Sequence, residues 1–223
     1  MLIEFSICSR LVEFLHETSI KSICHIGAHH GQEVEAYSKS GVQRVIWFEA
    51  NTDLINDLKN NINKYSINQV IIPYALWHEN TTLDFYITNS DQSSSFFELD
   101  KHLNHYPQIK VEKTRTINAF RFDNLLNLKP SLLPWSDFEF LNIDTQGAEL
   151  SILKGFGNSL FNQELKAIYL EVNETTLYKG IPLVNEIDQY LMQFGFHRLK
   201  TAWSEAEWGD ALYLKSFTSI KKI

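Results

Sequence analysis

The feature that most constrains this chain is a series of short apolar strands alternating with amphipathic helices. "KSICHIG", "VQRVIWFEA" and "NQVIIPYAL" read as strands. Between them "GQEVEAYSKSG" and "NTDLINDLKNNINKY" carry helical spacing, the second with Asn51 or Thr52 as its cap. A β-α-β-α-β series at such short intervals calls for a parallel sheet with helices on both faces. An amphipathic helix near residues 4 to 17, within an N-terminal segment 1–20, precedes the series. Strand "FEFLNID", helix "TQGAELSILKGFG" closing at Gly155 or Gly157, strand "LKAIYLEVN" and helix "PLVNEIDQYLMQFG" continue it. "FHRLKTAW" and "DALYLKSF" close the chain as an antiparallel pair.

The middle breaks the pattern. "TTLDFYIT" and "VEKTRTINAF" bracket the polar stretch "NSDQSSSFFELDKHLNHYPQ", so we expect inserted strands and a long surface excursion over residues 82–120. The sequence shows neither an internal repeat nor a low-complexity linker, and its 223 residues fit one domain, 1–223. The formal net charge is -7, which disfavours nucleic acid and anionic membranes as partners. Only two cysteines occur, Cys8 and Cys24, outside any metal-ligand spacing, as in a reducing compartment. With no convincing signal peptide and no apolar run of membrane-spanning length, a cytoplasmic protein is expected.

Ligands of open α/β sheets bind beyond the carboxyl ends of the strands. The first strand there runs into "GAHHG", where Gly27 can take a backbone shape barred to other residues and Gly31 can open a helix. The second ends in "FEAN", where Glu49 follows the glycine loop by about 20 residues, the separation of a nucleoside-binding βαβ unit whose acid takes the ribose hydroxyls. The glycines do not form GxGxxG, which disfavours a dinucleotide oxidoreductase.

Together, "ICHIGAHHGQE", "WFEANTDL", "PYALW" and "FEFLNIDTQGAELSILKGF", in this order, resemble the FkbM family of S-adenosylmethionine-dependent methyltransferases. "IYLEVNETTLYKG" and "WGDALYLK" extend the resemblance over roughly residues 20 to 215. It implies a Rossmann-like class I methyltransferase, with a mostly parallel seven-stranded sheet, an antiparallel last strand and S-adenosylmethionine as methyl donor. The acceptor it implies is a hydroxyl of a sugar, glycan or related small molecule. Gly27, Ala28, His29 and Gly31 match the cofactor loop, Glu49 the ribose acid with Ala50 and Asn51 beside it, and Ala75 and Leu76 the turn beside the adenine. Asp144 matches the acid of the "IDxxGAE" segment, and Ser94, with Ser95, matches a serine pair that would touch the cofactor or the acceptor. The chain departs from the pattern at His25, where an acid is usual, at His29 in place of Asn, and at Asn142 in place of Lys. With His25 unable to take the methionine ammonium, Asp144 is its expected partner.

A hydroxyl acceptor must lose its proton to a base or to a metal. Asp144, Glu171 and Asn173 end adjacent strands and form a candidate set for Mg²⁺ or another divalent cation. The metal-free alternative uses Asp144 or Glu171 to orient the reactants and His30 or His105 as base. Glu149 is expected to serve its own helix start. His25, His29 and His30 lack acidic or cysteine companions nearby, which counts against zinc. Tyr178, Trp203 and Trp208 are candidate walls for a sugar ring. A methyltransferase for RNA or a protein side chain, and a non-catalytic cofactor-binding or interaction module of the same fold, stand as alternatives.

Overall fold

The strands and helices expected from the alternation assemble into one mixed sheet covered on both faces. The computed structural model describes residues 1–128 and 137–216. Its first half contains α1 (Phe5–His16), β1 (Ser22–Ile26), α2 (Val34–Lys39), β2 (Arg44–Phe48), α3 (Ile55–Ile62) and β3 (Asn68–Ile72). The insertion holds β4 (Ala75–Leu76), β5 (Thr81–Thr88), α4 (His102–His105) and β6 (Val111–Phe120). α5 (Phe122–Leu128), β7 (Phe140–Ile143), α6 (Glu149–Phe156), β8 (Ala167–Asn173), α7 (Val184–Met192), β9 (Phe196–Trp203) and β10 (Trp208–Lys215) complete it.

The seven-stranded sheet has the order β3-β2-β1-β7-β8-β10-β9, and β10 runs antiparallel to both its neighbours. The chain winds outward from β1 in one direction and from β7 in the other, which opens a crevice at the carboxyl ends of these two strands. Register aligns the rim: Ile26 pairs with Phe48 on one side and with Ile143 on the other. The next residue in each case is Gly27, Glu49 or Asp144, so the three candidate site positions stand side by side.

Every residue of β1, β7 and β8 is buried, as both-face coverage of a parallel sheet requires. Alternate strand residues feed opposite cores. Cys24, Ile46 and Leu141 pack with Leu153 and Phe156 of α6, whereas Ile23, Trp47 and Phe140 pack with Val12 of α1 and Tyr37 of α2. α1 buries Phe5, Cys8, Ser9 and Val12, one stripe at i, i+3, i+4, i+7 spacing, and leaves Phe14 exposed.

Two differences from expectation concern the insertion. "NQVIIPYAL" is not one strand: Pro73 lacks an N–H for the ladder, so β3 stops at Ile72 and Ala75–Leu76 leave for a second sheet. That sheet has the order β4-β6-β5, with β5 and β6 antiparallel and β4 parallel to β6. The polar excursion also folds back, since Ser95 pairs with Tyr86 of β5 through both backbone bonds.

Phe156 is fully buried and stacks on Phe122 with ring centroids 4.1 Å apart, joining α6 to α5. Phe156→Ala should cost about 3–5 kcal/mol of stability by urea unfolding, from lost burial plus the cavity left behind. A loss under about 1 kcal/mol would show that this core collapses around the gap.

Candidate active site

The loop after β1 is shaped by what lies against it. A Cβ on Gly27 (φ +81°) would fall 1.8 Å from the backbone oxygen of Asp144, so no side chain fits there. Gly31 (φ +71°) packs its α-carbon against Leu58 and Ile62, where an added Cβ would lie 2.8 Å from each. Between them His29 adopts φ +49°, and its N–H donates to Glu49 Oε2 at 2.7 Å. Glu49 Oε1 accepts the Asn51 N–H at 2.6 Å, while Asn51 Oδ1 caps the following turn through the Asp53 N–H. One buried carboxylate thus holds two strand-end loops together, and burial raises its pKa against those donors.

A cavity of about 480 Å³ opens beside these loops, lined by Gly27, Glu49, Ala50, Asn51, Ala75 and Leu76 among others. Ala28 lies beneath it, fully buried. Across the cavity stand Asp144, which ends β7, and Glu171 of β8. Gln146 joins them: its Nε2 donates to Glu171 Oε2 at 2.7 Å and to Asp144 Oδ1 at 3.2 Å. Its side-chain oxygen accepts from the Tyr178 hydroxyl at 3.0 Å, and its backbone oxygen accepts from Ser95 Oγ at 2.6 Å. Gln146 therefore connects both acids to the excursion. Asp144 is open to the cavity but otherwise enclosed by protein, which pushes its carboxyl up to about 6. Burial, then the charges of Asp144 and Glu149, raise Glu171 well above the ordinary carboxylate range.

The proposed cation set does not converge on an open spot. The Gln146 amide N–H bridges Asp144 and Glu171, and the buried Asn173 lies outside the residues lining the cavity. Of the candidate bases, His105 is exposed and His30 lies with Asp91 at 3.2 Å; neither lines the cavity. One turn before His105, His102 does line it. His102 is 5% exposed, its ring lies 5.2 Å from that of Tyr178, and its Nδ1 has no hydrogen-bond partner among the described residues. Burial lowers its pKa, keeping the imidazole neutral and able to accept a proton.

Ser94 lines the cavity and its Oγ accepts the Thr88 N–H, whereas Ser95 faces Gln146. Tyr178 and Trp208 line it, joined by Tyr106, whose hydroxyl lies 3.3 Å from the Trp208 indole nitrogen; Trp203 lies outside. His25 is buried on β1, where its Nδ1 accepts from the Tyr37 hydroxyl at 3.0 Å, and burial drives its pKa down to about 3. Asn142 Nδ2 donates to the same hydroxyl at 2.8 Å, so both family departures belong to one buried polar chain beneath the loop.

These residues fit S-adenosylmethionine. Glu49 keeps lone pairs for a ribose diol, Phe48, Leu76 and Ile152 supply apolar walls for an adenine, and Asp144 supplies negative charge for the methionine end. The strand order, with its antiparallel strand inserted before the edge, and the cavity at the β1/β7 switch define a class I S-adenosylmethionine-dependent methyltransferase. Solved structures agree on the fold. TrmK of M. capricolum, in complex with S-adenosylhomocysteine, superposes with TM-score 0.50 at 10% identity over 96% of this chain and 69% of its own. The ribosomal protein L11 methylase of Lactobacillus delbrueckii subsp. bulgaricus gives TM-score 0.52 at 11% identity, over 96% and 79%. Among curated proteins none matches the sequence. Residues 25–198 match the methyltransferase FkbM domain, and the chain belongs to that family.

Glu49→Ala should weaken S-adenosylmethionine binding about 10- to 100-fold by calorimetry, the worth of hydrogen bonds to a charged group. Unchanged affinity would reject Glu49 as a cofactor contact. A second outcome concerns Glu149, which accepts from Thr145 N, Thr145 Oγ1 and Gly147 N, yet burial pushes its carboxyl from 4.5 to about 7. Because the folded value exceeds the unfolded one, this group's contribution to stability falls as pH rises from about 4.5 through about 7. The stability of Glu149→Gln relative to the parent should rise across that window and level off above it, as read by urea unfolding. A difference that stays flat would mean Glu149 is already ionised throughout.

Proposed function

We propose that this methyltransferase acts on a hydroxyl of a sugar, glycan or related small molecule. The observation that carries this reading is the far wall of the cavity, where Tyr106, Tyr178 and Trp208 stand beside Asp144, Glu171 and the unpartnered His102. Aromatic faces pack on the apolar face of a sugar ring, and carboxylates accept its hydroxyls. Among the described residues no lysine or arginine lines the cavity, which suits a phosphate backbone poorly and argues against RNA.

S-adenosylmethionine supplies an electrophilic methyl group and leaves as S-adenosylhomocysteine. In the mechanism we favour, the acceptor oxygen attacks the methyl carbon in line with the carbon–sulfur bond, whose electron pair goes to sulfur. The His102 imidazole, which lines the cavity, takes the hydroxyl proton, while Asp144 and Glu171, held by Gln146, orient the reactants. Glu49 binds the ribose, with Gly27, Ala28, His29, Gly31, Ala50 and Asn51 forming the surrounding loops. Ala75, Leu76 and Ser94 complete the cofactor pocket. Both cysteines are free and buried, in keeping with a cytoplasmic setting, and no helix among the described residues is long and apolar enough to cross a membrane.

A panel of glycans, sugar nucleotides, RNA and protein should be screened with methyl-labelled S-adenosylmethionine, and label is expected in a sugar hydroxyl. Transfer to RNA or protein alone would sink the proposal. His102→Asn should lower kcat by about 10²–10⁴-fold while leaving cofactor affinity nearly unchanged. Full activity in that variant would remove His102 as the base.

A further inference from the structure

The two histidines of the cofactor loop meet an acid that lies 61 residues beyond the second of them. His29 Nε2 lies 3.2 Å from Asp91 Oδ1 and His30 Nε2 lies 3.2 Å from Asp91 Oδ2, with the imidazole centroids 4.1 Å apart. One ligand atom from each residue falls within 4.8 Å of the other two. Metal–ligand bonds of about 2.0–2.2 Å set neighbouring ligand atoms roughly 3–3.5 Å apart, and the two His–Asp spacings of 3.2 Å fall in that range.

The surroundings hold the ligands in place. Gln32 Nε2 contacts His29 Nδ1 at 2.9 Å, and exchanging its amide oxygen and nitrogen would let His29 keep its proton on Nδ1, freeing Nε2. His29 Nε2 is buried and, among the described residues, makes no hydrogen bond of acceptable geometry, despite the nearby carboxylate. Asn61 Nδ2 fixes the His30 carbonyl at 2.9 Å, and Glu49 fixes the His29 N–H. On the other side Asp91 opens a one-turn 3-10 helix, Asp91–Ser93, folded back on β5.

We propose that His29, His30 and Asp91 form a binding site for one divalent transition-metal ion of the Zn²⁺, Co²⁺ or Ni²⁺ class. Two imidazoles and one carboxylate suit these ions better than Mg²⁺ or Ca²⁺, which prefer all-oxygen shells. Three protein ligands leave at least one position for water or a ligand. The ion joins the loop after β1 to the excursion, and because His29 and Asp91 also line the cavity, it sits at the cavity rim. This site does not depend on the acceptor being a sugar.

Tag-free protein, stripped with a chelator, should be titrated with Co²⁺ and followed by its visible d–d absorption, with Zn²⁺ as competitor. One equivalent is expected to bind, and Asp91→Asn and His30→Gln should each weaken binding at least about tenfold, while His105→Gln leaves it unchanged. In wild-type protein, Zn²⁺ should shift the ring protons of His29 and His30 in NMR spectra and leave those of His105 in place, a readout that needs no variant. The proposal is overturned if Co²⁺ shows no saturable binding, if both variants bind as tightly as the parent, or if the Zn²⁺ shifts map elsewhere. Binding of Mg²⁺ or Ca²⁺ in preference to Co²⁺ would overturn it equally.

Discussion

The cofactor end of the molecule depends on one carboxylate held between two backbone N–H groups. Glu49 accepts from His29 on the loop after β1 and from Asn51 on the loop after β2. Two parallel strands fix where their last residues stand, but nothing in the ladder fixes the loops beyond them. Glu49 does so, and the positive φ of His29 is held partly by that bond. On the opposite side the same loop rests on the Asp144 carbonyl, at a distance that only Gly27 allows. The crevice is therefore preorganised from backbone groups, which leaves the histidine side chains of the loop free of that task.

The sheet was legible because its physics is local. Parallel strands buried on both faces read as unbroken apolar runs, and β1, β7 and β8 do so. The rim positions Gly27, Glu49 and Asp144 followed from reading the carboxyl ends of β1, β2 and β7. What escaped was structure set by pairing partners far along the chain. "NQVIIPYAL" is apolar throughout, and only Pro73 marks where β3 gives way to β4; the partner that receives β4 is β6, more than 40 residues later.

The same distinction governs the site. His102 and His105 are three residues apart on one short turn and look alike in sequence. Their difference comes from Leu177, whose carbonyl accepts the His102 N–H and draws that imidazole against Tyr178. The "IDxxGAE" pattern names its acids and glycine but not Gln146, although that amide links Asp144, Glu171 and Tyr178. A signal for it existed in the need of two neighbouring buried acids for a shared donor. Asp91 gave no such signal, because an acid in a polar stretch resembles any solvated residue until the excursion folds back onto the histidines.

Charge ties these parts together. Glu33, Glu49, Asp91, Asp144, Glu171 and Asp210 line the cavity, and among the described residues no lysine or arginine does. Burial first, and repulsion between neighbouring acids second, raise the carboxyls of Asp144 and Glu171. Part of that repulsion is relieved locally, since Asp210 accepts from the Tyr169 hydroxyl and the Leu2 N–H while Gln146 serves the other two. The remainder favours a positively charged occupant. S-adenosylmethionine carries a sulfonium, and S-adenosylhomocysteine does not, so the same field that attracts the methyl donor loses its hold once the methyl has moved. An acidic cavity would thus favour the charged donor over the spent cofactor through charge, without any contact that distinguishes their shapes.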